Sequence, residues 1–306
     1  MKKSSQAILF CLCAVIWLFP AINIASAETG PEPKVVINNF PLAAADVISQ
    51  NNQVYFSLTE AKRLGNLTIT WKNASKQIFI KDGNTNLLLT INQVTAHKNG
   101  ETIKLGAAPF IHNGRTMVPL RFVSEAFDSS VFWNPSTHTV FITKASPKLI
   151  SDVQSGSLSI ARSAAINLPR VSQLTKSLEP SWEAASIKYY FPKGAYDRFI
   201  EVNNNSIGYY QVSKNIAFLK WQALIGDETS TENNPYFIKR NLINETGVLP
   251  SFDNTEFASF RYMPQAGSTG YSLIQKDNWE NAIFKDASLP QARVNQNYII
   301  VNIPEE

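Results

Sequence analysis

Two tryptophans, Trp71 and Trp133, stand 62 residues apart in matching surroundings, and this repetition constrains the fold more than any other feature of the chain. Phe56, Leu58, Ala61, Ile69, Trp71, Ile78 and Ile80 recur as Val118, Leu120, Val123, Val131, Trp133, Val140 and Ile142. In each copy the tryptophan follows the leucine by 13 residues and precedes a β-branched residue by 7. Self-similarity at a fixed offset marks a duplicated structural unit, here between about residues 35 and 143.

Each copy has the same physical plan. Val54-Tyr55-Phe56 is a short strand-like run, and Ser57 with Glu60 has the spacing of a helix capping box. Leu58, Ala61 and Leu64 then share one helical face, and Gly65 is placed to stop the helix. Leu67, Ile69 and Trp71 alternate as one face of a strand, and a polar turn through Lys72–Lys76 leads to Ile78 and Ile80. In the second copy Pro119 replaces Ser57, which suits a helix start because its missing N–H falls where no intrahelical bond forms. Leu120, Val123 and Phe127 line that helix, followed by Val131 with Trp133 and Val140 with Ile142. Strands at Val35–Ile37 and Leu87–Ile91 complete an antiparallel sheet wrapped against a helix, an α+β design.

The run Gly114–Phe127, with Val131-Phe132-Trp133 and Val140-Phe141-Ile142 after it, resembles the copper amine oxidase N-terminal-like domain. That family takes its name from the stalk domain of some amine oxidases and recurs in exported proteins of Gram-positive bacteria. The resemblance covers about residues 35–143 and implies a five-stranded antiparallel sheet twisted around a helix, used as a stalk or accessory module. Asp128 stands where the family commonly has glycine, and aspartate tolerates a left-handed turn better than most residues. The name does not carry the oxidase chemistry. Copper amine oxidases need three histidine ligands and an Asn-Tyr-Asp/Glu motif. Here Asn297-Tyr298 is followed by Ile299, and His97, His112 and His138 read as turn and strand-end residues. No cofactor or metal is expected.

Ahead of this unit, Lys2 and Lys3 precede an apolar run from Ala7 to Phe19, then Pro20 and Ala25-Ser26-Ala27. The pattern is that of a secretory signal peptide over residues 1–27, cleaved after Ala27. An uncleaved anchor would need about 20 apolar residues, and Pro20 and Asn23 interrupt the run. A lipoprotein would need small residues before its cysteine, whereas Phe10 and Leu12 precede Cys11 and Cys13. Both cysteines leave with the signal, so the mature chain of 279 residues has no thiol, no disulfide and no membrane span. Removing Lys2 and Lys3 lowers the net charge from +4 to +2, too small a field to point to nucleic acid. The terminus Val301–Glu306 carries no sorting signal, so the protein is expected to be secreted or held non-covalently at the cell surface.

Residues 144–157 are polar, contain Pro147 and Gly156, and read as a linker between the residue 28–143 domain and a second domain at 158–306. Leu158–Leu178 is compatible with a helix interrupted near Pro169 or with extended segments. Beyond it, strands are expected at Ile187–Phe191, Arg198–Val202, Ile207–Val212, Ile216–Ile225, Phe257–Tyr262, Tyr271–Gln275 and Tyr298–Ile303. Asn203–Ser206 reads as a hairpin turn, and Tyr236–Ile243 and Trp279–Phe284 as short helices. The second domain is thus β-rich α+β, with no family resemblance.

This half has no histidine after His138, no Gly-x-Ser-x-Gly elbow and no phosphate loop, which excludes a serine triad or zinc-protease helix within it. Glu183, Asp197, Glu201, Asp227, Glu228, Glu232, Asp253 and Glu256 leave carboxylate chemistry open, since a glycosidase needs two such groups about 5–10 Å apart. Aromatic residues are more informative. If one face of the sheet is core, alternation exposes rings on the other, where Tyr190, Tyr210 and Trp221 are candidates for stacking against a ligand. The competing reading makes the same rings a core. The expected function is a non-catalytic envelope protein, a stalk-like adhesive or spacing module presenting a β-rich domain to a cell-wall polymer or an envelope protein. The alternatives are a carboxylate-dependent polysaccharide hydrolase and a purely structural envelope or matrix component.

Overall fold

A computed structural model of the chain describes residues 31–180, 187–203, 205–226, 242–252, 255–263, 268–274, 283–285, 293–295 and 298–300, with side chains as far as Arg261. The expected signal segment and its cleavage after Ala27 lie outside the described residues. Pro31–Glu306 gather into one compact unit. The architecture is α+β, with several sheets and few, short helices.

The first half folds as three sheets around one core. A five-stranded antiparallel meander runs through Thr68–Lys72, Gln77–Asp82, Thr85–Thr90, Thr95–Lys98 and Glu101–Lys104. The strand at Lys34–Ile37, expected in an antiparallel sheet, is instead parallel to Thr139–Thr143, with Val35 opposite Val140 and Ile37 opposite Ile142. Parallel neighbours need a long crossover, and almost the whole first half lies between these two strands.

A strand–helix–strand–strand order occurs twice. Gln53–Ser57, Leu58–Leu64, Thr68–Lys72 and Gln77–Asp82 are followed by Arg115–Pro119, Leu120–Ala126, Ser130–Asn134 and Thr139–Thr143. Phe56, Leu58, Ala61, Ile78 and Ile80 meet Val118, Leu120, Val123, Val140 and Ile142 in one buried cluster. The helices differ. Ser57 caps nothing; its hydroxyl hydrogen-bonds Thr59 Oγ1 at 2.8 Å, while Glu60 turns to Arg63 at 2.5 Å. The expected capping box is therefore absent, and Leu58–Leu64 winds as a tight 3-10 helix with Leu58, Ala61 and Leu64 buried. In the second copy Leu120–Ala126 is a true α-helix, and Asp128 takes the left-handed conformation (φ 57°) expected of it.

Residues 144–157 are not a plain linker. Ser146 Oγ accepts the Leu149 N–H at 3.2 Å and Pro147 opens the first turn, so Pro147–Val153 is helical. A linker stays outside a core, but Leu149 and Val153 are buried in the second one. Ser157 caps the next helix, Leu158–Ala165, through the Ile160 N–H at 3.3 Å. The ambiguous stretch to Leu178 thus holds both alternatives, a helix and then the strand Arg170–Ser172. From the helix the fully buried Arg162 reaches the carbonyls of Pro192 (3.2 Å) and Ala195 (2.8 Å).

A nine-stranded sheet follows, ordered Arg170–Ser172, Ile216–Ile225, Ser206–Ser213, Arg198–Asn203, Ile187–Pro192, Phe257–Met263, Ser268–Ile274 and Ile283–Lys285, with Leu242–Gly247 also on Ile216–Ile225. The pairing of Asn203 with Ser206 closes the expected hairpin. Two expected helices change class where they are described. Leu242 and Ile243 pair with Ile225 and Leu224, and Phe284 pairs with Ser272, so a sheet neighbour supplies the backbone bonds a helix would have made. Residues 236–241 and 279–282 lie outside the described residues.

Both faces of this sheet are covered. Tyr189, Phe191, Phe199, Tyr210, Ala217 and Phe260 pack with the helices on one side. Tyr190, Ile200, Ile207, Tyr209, Trp221, Ala223 and Phe257 pack with Phe252 on the other. Ile216–Ile225 changes sides midway, because Tyr209 pairs with Trp221 but Tyr210 with Leu219, leaving Lys220 as an extra residue. At this bulge Gly247 lies close to the chain. A Cβ there would stand 2.2 Å from the Lys220 carbonyl oxygen, and the backbone has φ 86°.

The strand Arg170–Ser172 joins the two halves. One edge pairs in parallel with Ala217–Leu219. Its other edge is satisfied by side chains from the first half. Asn39 Oδ1 accepts the Arg170 N–H at 2.6 Å while Asn39 Nδ2 donates to the Leu168 carbonyl at 3.2 Å. Asn134 Nδ2 donates to the carbonyls of Ser172 (3.1 Å) and Leu174 (2.9 Å). Phe132 and Phe218 meet edge to face beside this clamp at 5.7 Å. An unmade bond to a buried carbonyl costs about 1–3 kcal/mol, so Asn134→Ala lowers unfolding free energy by about that amount in urea titration. Asn134→Asp keeps the acceptor for Ser136 and Thr137 but loses the donor. It is expected to destabilise at least as much as alanine at neutral pH; a neutral aspartate variant would show that the clamp contributes nothing.

Candidate functional site

Strand alternation places Glu201 beside Phe199 on the helix-covered face, where it is only 7% exposed. A carboxylate buried this far is costly unless paired. Arg170 pairs with it in bidentate fashion, Nη1 to Oε1 at 3.0 Å and Nη2 to Oε2 at 2.5 Å. Nη1 also donates to Tyr210 Oη at 3.4 Å, and Nη2 to the Ile166 carbonyl at the end of the helix, at 3.3 Å. The Arg170 guanidinium lies 4.8 Å from the Tyr210 ring centroid, and that ring stacks on Phe199 at 5.0 Å. Gly208 makes room for it, since a Cβ there would come 2.9 Å from the Tyr210 ring.

The charges behave accordingly. Burial pushes the Tyr210 phenol up to about 12, with Arg170 opposing and Glu201 adding to the rise. Burial, reinforced by Glu201, drives Tyr189 higher still. Burial alone would lower Arg170, but the Glu201 carboxylate, with Tyr210, more than reverses this and holds the guanidinium firmly charged.

This cluster borders a cleft of about 370 Å³ between the halves, lined by Val36, Asn39 and Phe141 on one side and by Ile166, Asn167, Arg170, Val171, Ser172, Tyr210 and Leu219 on the other. Its walls are largely apolar, and its main polar groups are committed to the fold: Arg170 to Glu201, Asn39 to the strand backbone. Both carboxylate oxygens of Glu201 are taken up by Arg170 nitrogens. Asp197 and Glu256 are ion-paired with Arg198 and Lys193 at 3.8 and 2.8 Å. Glu183, Asp227, Glu228, Glu232 and Asp253 lie outside the described residues.

Tyr190, Tyr210 and Trp221 are 3%, 8% and 1% exposed, so none offers an open stacking face. Alternation assumed one solvated face, whereas this sheet has a core on each side. Tyr190 and Trp221 share one core and Tyr210 lies in the other. Large exposed rings occur instead at Trp71 (38%) and Trp133 (48%), the repeat's own marker residues. The sequence pattern put each on one face of a strand and said nothing of its exposure; the signal available was their position at the last step before a polar turn. His97 lies in a strand, His112 at a strand end and His138 in a turn. Among the described residues no three His, Cys, Asp or Glu side chains gather as a metal site.

Residues 35–142 match the family described as the copper amine oxidase N-terminal domain, a non-catalytic stalk domain, and the match spans all three sheets of the first half. No curated protein matches the chain.

Removing one member of a buried pair costs about 3–5 kcal/mol. Arg170 is about a quarter exposed (27%), so Arg170→Met or Glu201→Leu is expected to cost about 3 kcal/mol in urea unfolding, with the double variant recovering part of the loss. Additive losses would show that the two side chains do not interact. For Tyr210 the folded value lies above the unfolded one near 10, so the unfolded chain releases its proton first. Its contribution is full below pH 10 and lost as pH rises towards 12. Stability should therefore fall across that window, and Tyr210→Phe should flatten the fall in alkaline unfolding curves.

Proposed function

We propose that the chain is an exported, non-catalytic cell-envelope protein in which a stalk-like first half presents and positions a β-rich second half. The observation that carries this reading is the match of residues 35–142 to a non-catalytic stalk domain, locked by Asn39 and Asn134 onto the strand that begins the second half. A spacing module must transmit orientation, and a hydrogen-bonded seam does so where a loose tether would not. The recurrence of four elements in one order supports reading the first half as an internal duplication. The basic, apolar start of the chain supports export, and a thiol-free mature sequence suits a protein whose stability rests on packed cores. Its partner is a cell-wall polymer or an envelope protein, engaged without metal or cofactor.

The test is to incubate the purified protein with insoluble cell wall, then assay pelleted protein and released sugar. Saturable pelleting with no release is expected. Turnover abolished by a single Asp or Glu substitution would replace this reading with the hydrolase, and absence of pelleting would leave a purely structural component.

A further inference from the structure

The repeated tryptophans carry more than the repeat. Trp71 pairs with Ile78 across its hairpin, and Trp133 with Val140. Both partners are buried, so each indole stands on the core-facing side of its sheet but at its rim. Thr68–Lys72 and Ser130–Asn134 are both edge strands, and each tryptophan is the penultimate residue of its strand. Both precede a turn that ends in a residue with positive φ, Lys76 at 52° and His138 at 48°.

We propose that Trp71 and Trp133 are two equivalent platforms for the sugar rings of a polysaccharide. The inference rests on the polymer-binding reading above and places the contact in the repeated half. The surroundings select this occupant. A protein partner needs a contiguous apolar patch with a desolvated centre, whereas the exposed turn that follows each ring is mostly polar. After Trp71 the chain exposes Lys72, Asn73, Ala74, Ser75 and Lys76; after Trp133 it exposes Pro135, Ser136 and His138, the last with its ring edge-on to the indole at 6.0 Å. A sugar offers the complement, an apolar C–H face bordered by hydroxyls that donate and accept. The strand pairing and the hydrogen-bonded turn at Asn134 fix the base of the Trp133 platform, so little ordering is needed on binding. Two like platforms suit a ligand that repeats, because a second contact by the same chain gains from its raised local concentration.

The experiment uses the full protein, its Trp71→Ala, Trp133→Ala and double variants, and the corresponding phenylalanine variants, pelleted with insoluble cell wall. A parallel arm uses wall digested with protease to remove protein. Thermal unfolding and sedimentation are recorded for every variant. Each alanine variant is expected to weaken pelleting roughly three- to tenfold, the scale of one lost stacking contact, and the double variant by more than either. Phenylalanine should restore part of the loss, protease should leave binding unchanged, and the phenylalanine variants should keep unfolding midpoints close to wild type, with the alanine variants still folded at the assay temperature. Wild-type pelleting that the double alanine variant retains would overturn the platforms while leaving the envelope-binding reading intact. Failure of the wild type to pellet would overturn both. Loss of binding on protease-treated wall would make the partner a protein, and self-association abolished in the double variant would make it a second copy; either overturns the inference.

Discussion

The outer edge of Arg170–Ser172 is where the two halves depend on each other. A strand edge carries backbone donors and acceptors that must find partners or water. Here Asn39, in a turn, and Asn134, at a strand end, supply those partners from the first half, so the second sheet ends against side chains and not against solvent. Arg170 belongs to both systems. Its N–H is held by Asn39, while its guanidinium neutralises Glu201 inside the second core. The seam therefore sets where the guanidinium sits, and the buried carboxylate in turn requires the seam to close.

The aromatic excess of the second half has its use in this arrangement. A sheet covered on both faces needs two sets of bulky apolar side chains, and Tyr189, Phe191, Phe199 and Phe260 fill one while Tyr190, Tyr209, Trp221 and Phe257 fill the other. Tyrosine hydroxyls on the first face then surround the ion pair, which lets a charged cluster exist in an otherwise apolar layer. Coverage on both faces also buries more apolar surface than a sheet with one solvated face would.

What was legible in the sequence was local. The seven matched positions announced the repeat, and five of each set lie in the shared core because helix and strand periodicity decide which side chains face inward. Strands from Ile187 to Ile225 were readable for the same reason. The faces were not. Lys220 bulges, so Trp221 lies on the side opposite the one strict alternation from Ala217 and Leu219 assigns it. The pairing of Arg170 with Glu201, and of Asn39 with Leu168 and Arg170, joins residues far apart in the chain, where no spacing rule applies. Residues 144–157 looked like a linker by composition; the cap at Ser146 and two buried apolar residues made a helix of them.

The same contrast bears on where a ligand would be met. Rings in the second half are spent on packing because both sheet faces have a partner layer. Rings at the rim of the first half remain partly open because an edge strand has no neighbour beyond it to cover its last side chain. The same situation occurs at Trp71 and at Trp133, each the penultimate residue of an edge strand. The seam at Asn39 and Asn134 fixes the second half relative to these two positions.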